Sequence, residues 1–310
     1  MCPNHEEEIF MESTTRRGFL LGAASAGAAG LMASRGAWAI PPIGRTRPSH
    51  MKLSLAAYSY RQLLTSKPPK MDLFDFVSLG ADYGLDGVEL TSYYFPTDVK
   101  PAYLHKLKQH AFNLGLDISG TSVGNNFCVQ DGPEREKQMA LVRTWVDNAA
   151  ELDAPVIRIF AGTVPKGDSE EKAVARAIEG IKASLPYAIE KGVTLALENH
   201  GGITLTPPQI LKLVKAIDSP NFGVNLDTGN FRGDDPYAEL AELAPYAVNV
   251  QVKTEISRKG QKKEDADLGK VVGILRDARY SGYVVLEYEA PEDPLAAIPR
   301  HLKTLRSLIS

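Results

Sequence analysis

Eight short apolar runs alternate with eight amphipathic segments between residues 51 and 310. The runs are rich in Val, Leu and Ile, which is typical of buried strands, whereas the segments between them repeat apolar residues at helical spacing. Because a helix connects each run to the next, neighbouring strands must be parallel. Eight such units in about 260 residues favour a (β/α)8 TIM barrel over a doubly wound sheet, which usually has about five or six strands and a Gly-rich phosphate loop. We therefore predict a single α/β barrel domain.

The boundaries of these elements follow from the ends of the apolar runs and from glycines that stop helices, such as Gly84, Gly115 and Gly192. The predicted strands cover residues 53–59, 87–91, 116–123, 156–160, 193–197, 222–226, 248–252 and 283–287. The predicted helices cover residues 71–83, 102–114, 134–152, 170–190, 207–217, 236–243, 268–278 and 295–309.

The composition excludes several other classes of protein. Apolar residues make up 44% of the chain and charged residues 24%, which is ordinary for a globular protein and rules out a collagen-like, coiled-coil or largely disordered chain. The 35 Lys and Arg residues do not outnumber the 38 Asp and Glu residues, and the formal net charge is −3. The basic surface of a nucleic-acid-binding protein is therefore not expected.

Residues 1–39 have the layout of an export signal. The adjacent Arg16 and Arg17 precede a small-residue apolar run over 22–32, and Ala-Trp-Ala at 37–39 has the form of a cleavage site. The arginine pair predicts a twin-arginine signal, which the Tat export machinery reads as an address. The apolar run is too short and too rich in Ala and Gly for a stable membrane anchor. A poorly ordered N-terminal helix is the alternative interpretation.

The chain start is the one part that fits this signal badly. The three glutamates at 6–8 are acidic where a positive start is expected. Met11 opens a cleaner signal, and we expect it to be the true start. We therefore divide the chain into a signal peptide (1–39), a linker (40–50) and a barrel (51–310), and we expect the protein in the periplasm or otherwise exported.

Polar residues at the strand ends are the candidates for chemistry. The carboxyl ends of parallel barrel strands meet at one mouth, where barrel active sites lie. Glu198, Asp227 and Glu287 each end an apolar run, and three acids buried together would repel one another without a cation. With the side-chain carbonyl of Gln251 they make four oxygen donors, which suit one hard or borderline divalent ion such as Mn²⁺ or Mg²⁺. Strand-end acids also pair with Lys and Arg, so structural ion pairs are the alternative.

Four further charged or polar residues are predicted to bind substrate. His200 lies two residues after the first of these acids, on the same side of an extended strand, and we favour substrate binding or proton relay over loop packing. Arg158 suits a polyol, carboxylate or phosphate, or else neutralises Glu89, which lies at the same mouth. Lys253 either binds substrate or pairs with Glu255.

Aromatic residues and the remaining cysteine have two interpretations each. The candidates for the wall of a sugar pocket are Tyr58, Tyr60, Tyr93 and Phe127, with core packing as the alternative. Cys128 is predicted to be a buried apolar residue, since no catalytic Cys–His pattern surrounds it. Cleavage of the signal would remove Cys2, so no intramolecular disulfide is expected.

Four motifs occur in order along the late strands: VTLALENH (193–200), GVNLDTGN (223–230), VQVK (250–253) and VLEYE (285–289). Together they resemble the xylose isomerase-like barrel superfamily, and within it the sugar phosphate isomerase/epimerase-like proteins, over most of residues 51–305. The resemblance implies one divalent ion held by Glu, Asp, His and Glu from successive late strands. The matching positions here are Glu198, Asp227, Gln251 and Glu287. Many members have His where this chain has Gln251, although a Gln carbonyl can also coordinate a metal.

These observations predict a divalent-metal-dependent isomerase or epimerase that moves a proton next to the carbonyl of a sugar or keto-sugar. Glu198 and Glu287 are the predicted acid–base pair. Mn²⁺ or Mg²⁺ is the expected ion, with Co²⁺ or Zn²⁺ as alternatives, and a small carbohydrate is the expected partner. The alternatives are a lyase or dehydratase acting on a 3-keto sugar, glycoside or cyclic polyol, and a non-catalytic exported sugar-binding protein. Either a monomer or an oligomer is compatible with the sequence.

Overall fold

The computed structural model describes residues 42–310, so the predicted export signal and Met11 lie outside the described residues. Eight parallel strands close into a barrel in the order β1-β10-β7-β6-β5-β4-β3-β2, which confirms the predicted (β/α)8 barrel. In chain order the strands are β1 (Met51–Ala56), β2 (Gly87–Thr91), β3 (Asp117–Ser122), β4 (Val156–Ile159), β5 (Thr194–Glu198), β6 (Phe222–Asp227), β7 (Ala247–Val252), β8 (Glu255–Ile256), β9 (Glu264–Asp265) and β10 (Gly282–Leu286). Strands β8 and β9 form a separate antiparallel hairpin in the loop that follows β7.

Helices surround the barrel. Over residues 42–310 the α-helices are α1 (Arg61–Leu64), α2 (Leu73–Asp82), α3 (Pro101–Asn113), α4 (Pro133–Glu151), α5 (Glu170–Glu190), α6 (Pro207–Ile217), α7 (Pro236–Leu243), α8 (Leu268–Asp277) and α9 (Pro294–Ile309). Within the same range, no helix is long and apolar enough to cross a membrane.

The observed elements match the predicted ones to within a few residues, with three differences. The first strand ends at Ala56 rather than at residue 59, because residues 57–60 turn into a short 3-10 helix. Helix α1 and the β8–β9 hairpin were not predicted. Each of these segments is too short to show a helical or strand periodicity.

The strand registers bring the polar strand ends into layers inside the barrel. Glu198 of β5 lies opposite Asn225 of β6, and Asp227 lies opposite Gln251 of β7. Because alternate residues of a strand point to the same face, Asn225 and Asp227 both face the interior. The barrel interior thus contains stacked polar layers near its carboxyl end.

The predicted linker contacts the barrel in the part that the structure describes. The amide of Ile43 donates to the carbonyl of Pro245 at 3.0 Å, and the Ser49 hydroxyl donates to the carbonyl of Tyr280 at 2.7 Å. Between them, the guanidinium of Arg45 lies 5.3 Å from the centre of the Tyr280 ring. Residues 43–49 therefore lie against the segments that enter β7 and β10.

Helix α5 approaches the barrel closely at Gly180. A Cβ atom on Gly180 would lie 2.6 Å from Cδ1 of Phe127, and Phe127 is only 1% exposed. By contrast, a Cβ atom on Gly273 of α8 would meet no heavy atom within 4 Å. Both glycines thus lie inside helices, but Gly180 is closely packed and Gly273 is not.

We expect Gly180→Ala to destabilise the protein by about 1–3 kcal/mol, because overpacking a filled core outweighs the better helix propensity of alanine. The matched control Gly273→Ala should instead stabilise it by about 0.5–1 kcal/mol. Urea unfolding of both variants and the parent measures these changes. A gain in stability for both variants would contradict the close contact with Phe127.

Candidate active site at the carboxyl end of the barrel

Four acids project into the mouth of the barrel and share two buried cations. We call these acids, Glu198, Asp227, Glu287 and Glu289, the mouth acids. The cations are Arg158 of β4 and Lys253, which follows β7 directly. The structure therefore brings the acid residues predicted from the sequence together with two of the predicted substrate-binding residues.

Arg158 pairs with Glu198. Its Nε lies 2.9 Å from Oε2 of Glu198, and one terminal nitrogen donates to the carbonyl of Val123 at 2.9 Å. The other carboxylate oxygen of Glu198 accepts a hydrogen bond from the Asn230 side chain at 3.0 Å. The sequence left open whether Arg158 binds substrate or neutralises an acid. The structure shows it paired with an acid, which is Glu198 and not Glu89.

Lys253 lies among the other three mouth acids. Its Nζ is 2.5 Å from Oε2 of Glu287 and 3.0 Å from Oε1 of Glu289. Oδ2 of Asp227 is 3.4 Å from the same nitrogen. Lys253 therefore pairs with these acids rather than with Glu255, which lies beside another lysine of the β8–β9 hairpin.

The backbone and side chain of Asp227 are held from several directions. The Asn199 side chain accepts from the Asp227 amide and donates to its carbonyl, both at 2.8 Å. Oδ1 of Asp227 accepts from the amide of Gly229 at 2.8 Å. Among the described residues, Oδ2 of Asp227 is buried without a hydrogen-bond donor. One carboxylate oxygen of a fully buried acid is therefore directed at a cation position.

Gln251 belongs to a ring of hydrogen bonds in the barrel interior. Its amide nitrogen donates to Oε1 of Glu89 at 2.6 Å, and its carbonyl accepts from Asn225 at 2.6 Å. The Asn249 side chain closes the ring by donating to Asn225 at 2.8 Å and to Oε2 of Glu89 at 2.9 Å. A carbonyl has two lone pairs, so the Gln251 oxygen keeps one for a metal. Its role as a ligand stays a prediction.

His200 contributes to a cavity beside the acids. Its ring centroid lies 4.4 Å from that of Phe160, and the guanidinium of Arg158 lies 4.0 Å from the centre of the Phe160 ring. The cavity has a volume of about 200 Å³, and Asn125 and Thr204 also line it. The His200 side chain is thus available to a molecule in the mouth. A second cavity, of about 220 Å³, lies between α4 and α5 and contains none of the candidate site residues.

The four aromatic candidates divide into two pairs. The Tyr58 ring lies 5.8 Å from Nζ of Lys253, and Tyr93 is 47% exposed beside Gly124, in the loop after β3. Tyr60 and Phe127 are fully buried in the apolar core. Only the first pair can contact a substrate.

Burial sets the pKa values of the acids. Burial raises the pKa of Glu198 to about 7, against the effect of Arg158, and that of Asp227 to about 7, against the effect of Lys253. The pKa of Glu89 is also raised to about 7, by burial and then by the nearby Glu287. These carboxyl groups can therefore exchange protons near neutral pH, which general acid–base catalysis requires.

The cationic and imidazole groups are shifted as well. Burial lowers the pKa of Lys253, but the carboxylates of Asp227, Glu287 and Glu289 outweigh burial and hold it well above its usual range. Burial, followed by the charge of Arg158, lowers the pKa of His200. The ammonium of Lys253 is therefore a permanent charge of the site, whereas a neutral imidazole is favoured at His200.

Several residues of the site were missed from the sequence. They are Asn125, Asn199, Asn225, Asn230, Asn249 and Glu289. Asn225, Asn249 and Glu289 could have been predicted from the sequence. Each lies two residues from a predicted site residue, and alternate residues of an extended chain point to the same side. Asn125, in the loop after β3, carried no such signal.

The donor set fits a divalent ion in its chemistry. The mouth acids supply hard oxygen donors, one oxygen of Asp227 lacks a hydrogen-bond donor, and four acids outnumber the two cations Arg158 and Lys253. Over residues 42–310, no three His, Cys, Asp or Glu side chains converge on one point as metal ligands do. Each of the two buried cations contacts at least one of the mouth acids.

We predict that the metal-free protein loses stability as the pH rises. Glu89 has a pKa of about 7 in the folded protein and an ordinary value of 4.5, so the folded state binds more protons between these values and the free energy of unfolding falls over this range. For one such group the fall is up to about 3 kcal/mol. Urea unfolding at pH 5 and pH 8 in chelator measures it.

Glu89→Gln should reduce this pH dependence, because the titrating group is removed. The control Glu264→Gln replaces a half-exposed acid of the hairpin that pairs with Arg258, and it should keep the pH dependence of the parent. An unchanged difference between pH 5 and pH 8 in Glu89→Gln would show that Glu89 does not titrate as expected.

Comparisons with known proteins identify relatives in sequence and in structure. 3-Oxo-isoapionate decarboxylase of Pectobacterium atrosepticum is 26% identical over 206 residues, which cover 66% of this chain and 68% of that protein. 3-Dehydroshikimate dehydratase of Bacillus anthracis is 23% identical over 212 residues, covering 66% of this chain and 71% of that protein. The structure of D-psicose 3-epimerase with D-tagatose from Clostridium cellulolyticum H10 is similar with a TM-score of 0.69 and 18% identity, covering 84% of this chain and 100% of that one.

The structural similarity concerns the fold, since the identity is low. The sequence profile of a family described as "Xylose isomerase-like TIM barrel" matches residues 77–308. This range contains seven of the eight barrel strands and all four mouth acids. The chain therefore belongs to the xylose isomerase-like TIM barrel family.

Proposed function

We propose that this protein is a divalent-metal-dependent isomerase or epimerase that acts on a sugar or keto-sugar. One observation carries the proposal: Glu198 and Glu287 are both buried at the mouth and come from opposite parts of the barrel wall. Glu198 ends β5 and Glu287 follows β10. These strands are three places apart around the ring of eight, where four places would be directly opposite. Two carboxylates placed in this way can reach the two faces of one substrate carbon.

The reaction moves one proton next to a carbonyl. One carboxylate removes the proton from the carbon, and the electron pair of the broken C–H bond moves toward the carbonyl oxygen. The other carboxyl group then returns a proton to the carbon. In the metal-free protein burial raises the pKa of Glu198 to about 7, and a carboxyl group with a pKa near neutral can both accept and donate protons. Arg158, whose Nε lies 2.9 Å from Glu198, orients that carboxylate.

Glu198, Asp227, Gln251 and Glu287 are the residues that would hold the metal. A bound divalent ion supplies positive charge that stabilises negative charge on the substrate oxygen. Lys253 and the neutral imidazole of His200 lie where they can hydrogen-bond substrate oxygens. The cavity beside Phe160 offers an apolar ring and the amide of Asn125, a combination that suits the apolar and hydroxyl faces of a sugar.

A lyase or dehydratase is the second candidate, acting on a 3-keto sugar, glycoside or cyclic polyol. Two sequence relatives carry the names of a decarboxylase and a dehydratase, and this supports the candidate. Epimerisation and dehydration begin alike, with removal of a proton next to a carbonyl. In dehydration the second carboxyl group protonates a leaving hydroxyl instead of the carbon.

The test is an assay of keto-sugars, inososes and oxidised glycosides with Mn²⁺, Co²⁺ and Mg²⁺. Formation of an epimer or isomer supports the first candidate, and release of water or carbon dioxide supports the second. Tight binding of a sugar without turnover would instead indicate an exported binding protein. Export through the Tat machinery to the periplasm, with a small carbohydrate as partner, belongs to the same proposal.

We expect Glu198→Gln and Glu287→Gln each to lower turnover by at least about 10²-fold, the usual contribution of a positioned acid–base group. Both variants keep the side-chain shape and an oxygen donor. Exchange of the substrate proton in heavy water should fall with turnover. The control Glu264→Gln changes a half-exposed acid of the hairpin that pairs with Arg258, and it should retain activity. Full exchange in both site variants would assign the proton to another residue.

We expect purified protein to hold about one divalent ion per chain, because the mouth acids are hard oxygen donors in excess of the nearby cations. Asp227→Ala should lose most of this metal, and Gln251→His should retain it, since imidazole is a better ligand for transition ions. Elemental analysis measures both. Unchanged metal in Asp227→Ala would remove the proposed site, and unchanged metal in Gln251→Ala would exclude Gln251 as a ligand.

A further inference from the structure

We propose that Lys253 is an internal competitor for the divalent ion, and that Glu289 receives its ammonium group when the ion binds. The inference rests on the proposed function, because it concerns the same metal. It assigns Lys253 and Glu289 a role in setting metal affinity, which is distinct from binding the substrate.

The ammonium of Lys253 uses the oxygens that the ion would need. Its Nζ lies 2.5 Å from Oε2 of Glu287 and 3.4 Å from Oδ2 of Asp227, and both acids are predicted ligands. Oδ2 of Asp227 makes no hydrogen bond within the described residues. A monovalent and a divalent cation repel each other strongly at such distances in a buried site. The two cations therefore cannot share these oxygens.

The ammonium of Lys253 would move toward Glu289. Its Oε1 is 3.0 Å from the same nitrogen. The Glu289 side chain is 32% exposed, whereas those of Asp227 and Glu287 are 0% and 8% exposed. A small polar cavity of about 20 Å³ lies on this side of Lys253, and its lining includes Glu289 and Asn230. The outward movement thus keeps one ion pair and enters a cavity with room for about one water molecule.

The first carbon atoms of the Lys253 side chain are held by close packing. A Cβ atom on Gly229 would lie 2.6 Å from both Cβ and Cγ of Lys253, so the start of the side chain packs against the Gly229 backbone. The amide of Lys253 donates to the Thr228 hydroxyl at 2.9 Å. Displacement therefore requires rotation about the outer bonds of the side chain and no change in the backbone.

This arrangement has a consequence for the metal-free protein. Without a cation between them, Asp227 and Glu287 would be buried charges with unfavourable mutual repulsion. The ammonium of Lys253 compensates them until the ion replaces it. The measured affinity for the ion is then the difference between binding the ion and displacing the ammonium.

The experiment measures Mn²⁺ affinity by calorimetry on chelator-treated full-length protein. Lys253→Met should bind Mn²⁺ at least about tenfold more tightly than the parent, because the competing charge is gone. Glu289→Gln should bind about three- to tenfold more weakly, because the displaced ammonium loses its acceptor. The matched controls are Lys52→Met and Asp117→Asn, which form a half-exposed pair 2.8 Å apart at the opposite, amino end of the barrel. Both controls should bind like the parent.

A thermal melt with and without Mn²⁺ supplies a second measurement. Lys253→Met should melt earlier than the parent in chelator and recover most of the difference in Mn²⁺. If Lys253→Met does not fold in chelator, the Mn²⁺ affinity of Glu289→Gln serves as the test. This variant should fold, because Glu289 is partly exposed. Unchanged affinity in Glu289→Gln would then overturn the proposal.

The outcomes separate this inference from the proposed function. Equal Mn²⁺ affinity in the parent, Lys253→Met and Glu289→Gln overturns the competition and leaves the metal-dependent function standing. Binding by Lys253→Met alone supports the competition and overturns metal dependence of the parent. Absence of Mn²⁺ binding in every variant overturns both.

Discussion

The mouth of this barrel depends on the compensation of buried acids by two buried cations. Four carboxylates meet at the carboxyl ends of the strands, and Arg158 and Lys253 lie between them at hydrogen-bonding distances. Removing either cation would leave charges of like sign in a site with little water, which is strongly unfavourable. The positions of the acids and the excess of negative charge available to a metal follow from this arrangement, whereas burial raises the pKa values of Glu198 and Asp227 against the effect of the cations.

Below the acids, a layer of amide side chains fixes the geometry. Glu89 accepts from both Gln251 and Asn249, and Asn225 connects these two amides. Because a carboxylate accepts and does not donate, it determines which way each amide is turned. The carbonyl of Gln251 is therefore directed away from Glu89. The layer holds the floor of the site in one orientation, and Lys253 lies above it among three acids.

The sequence allowed a good prediction of the fold and a partial prediction of the site. Strand-end residues such as Asp227 and Glu287 were recognised because the barrel fold requires them to meet. The acids that pair with the two cations were harder to predict. Glu89 was the acid predicted to pair with Arg158, and Glu255 the acid predicted to pair with Lys253. Long side chains have many rotamers, however, and in both cases the acid nearest in space is a different one.

What the sequence by itself determined is the periodic part of the protein. The alternation of apolar runs and amphipathic helices allows only parallel strands, and eight such units close into a barrel with all strand ends on one side. Only the tertiary structure decided which charge faces which, that Tyr60 packs in the core while Tyr58 lies over Lys253, and that Glu289 joins the site. The reason is physical: periodicity fixes the direction of a side chain from its strand, whereas its partner depends on distances between strands that are far apart in the chain.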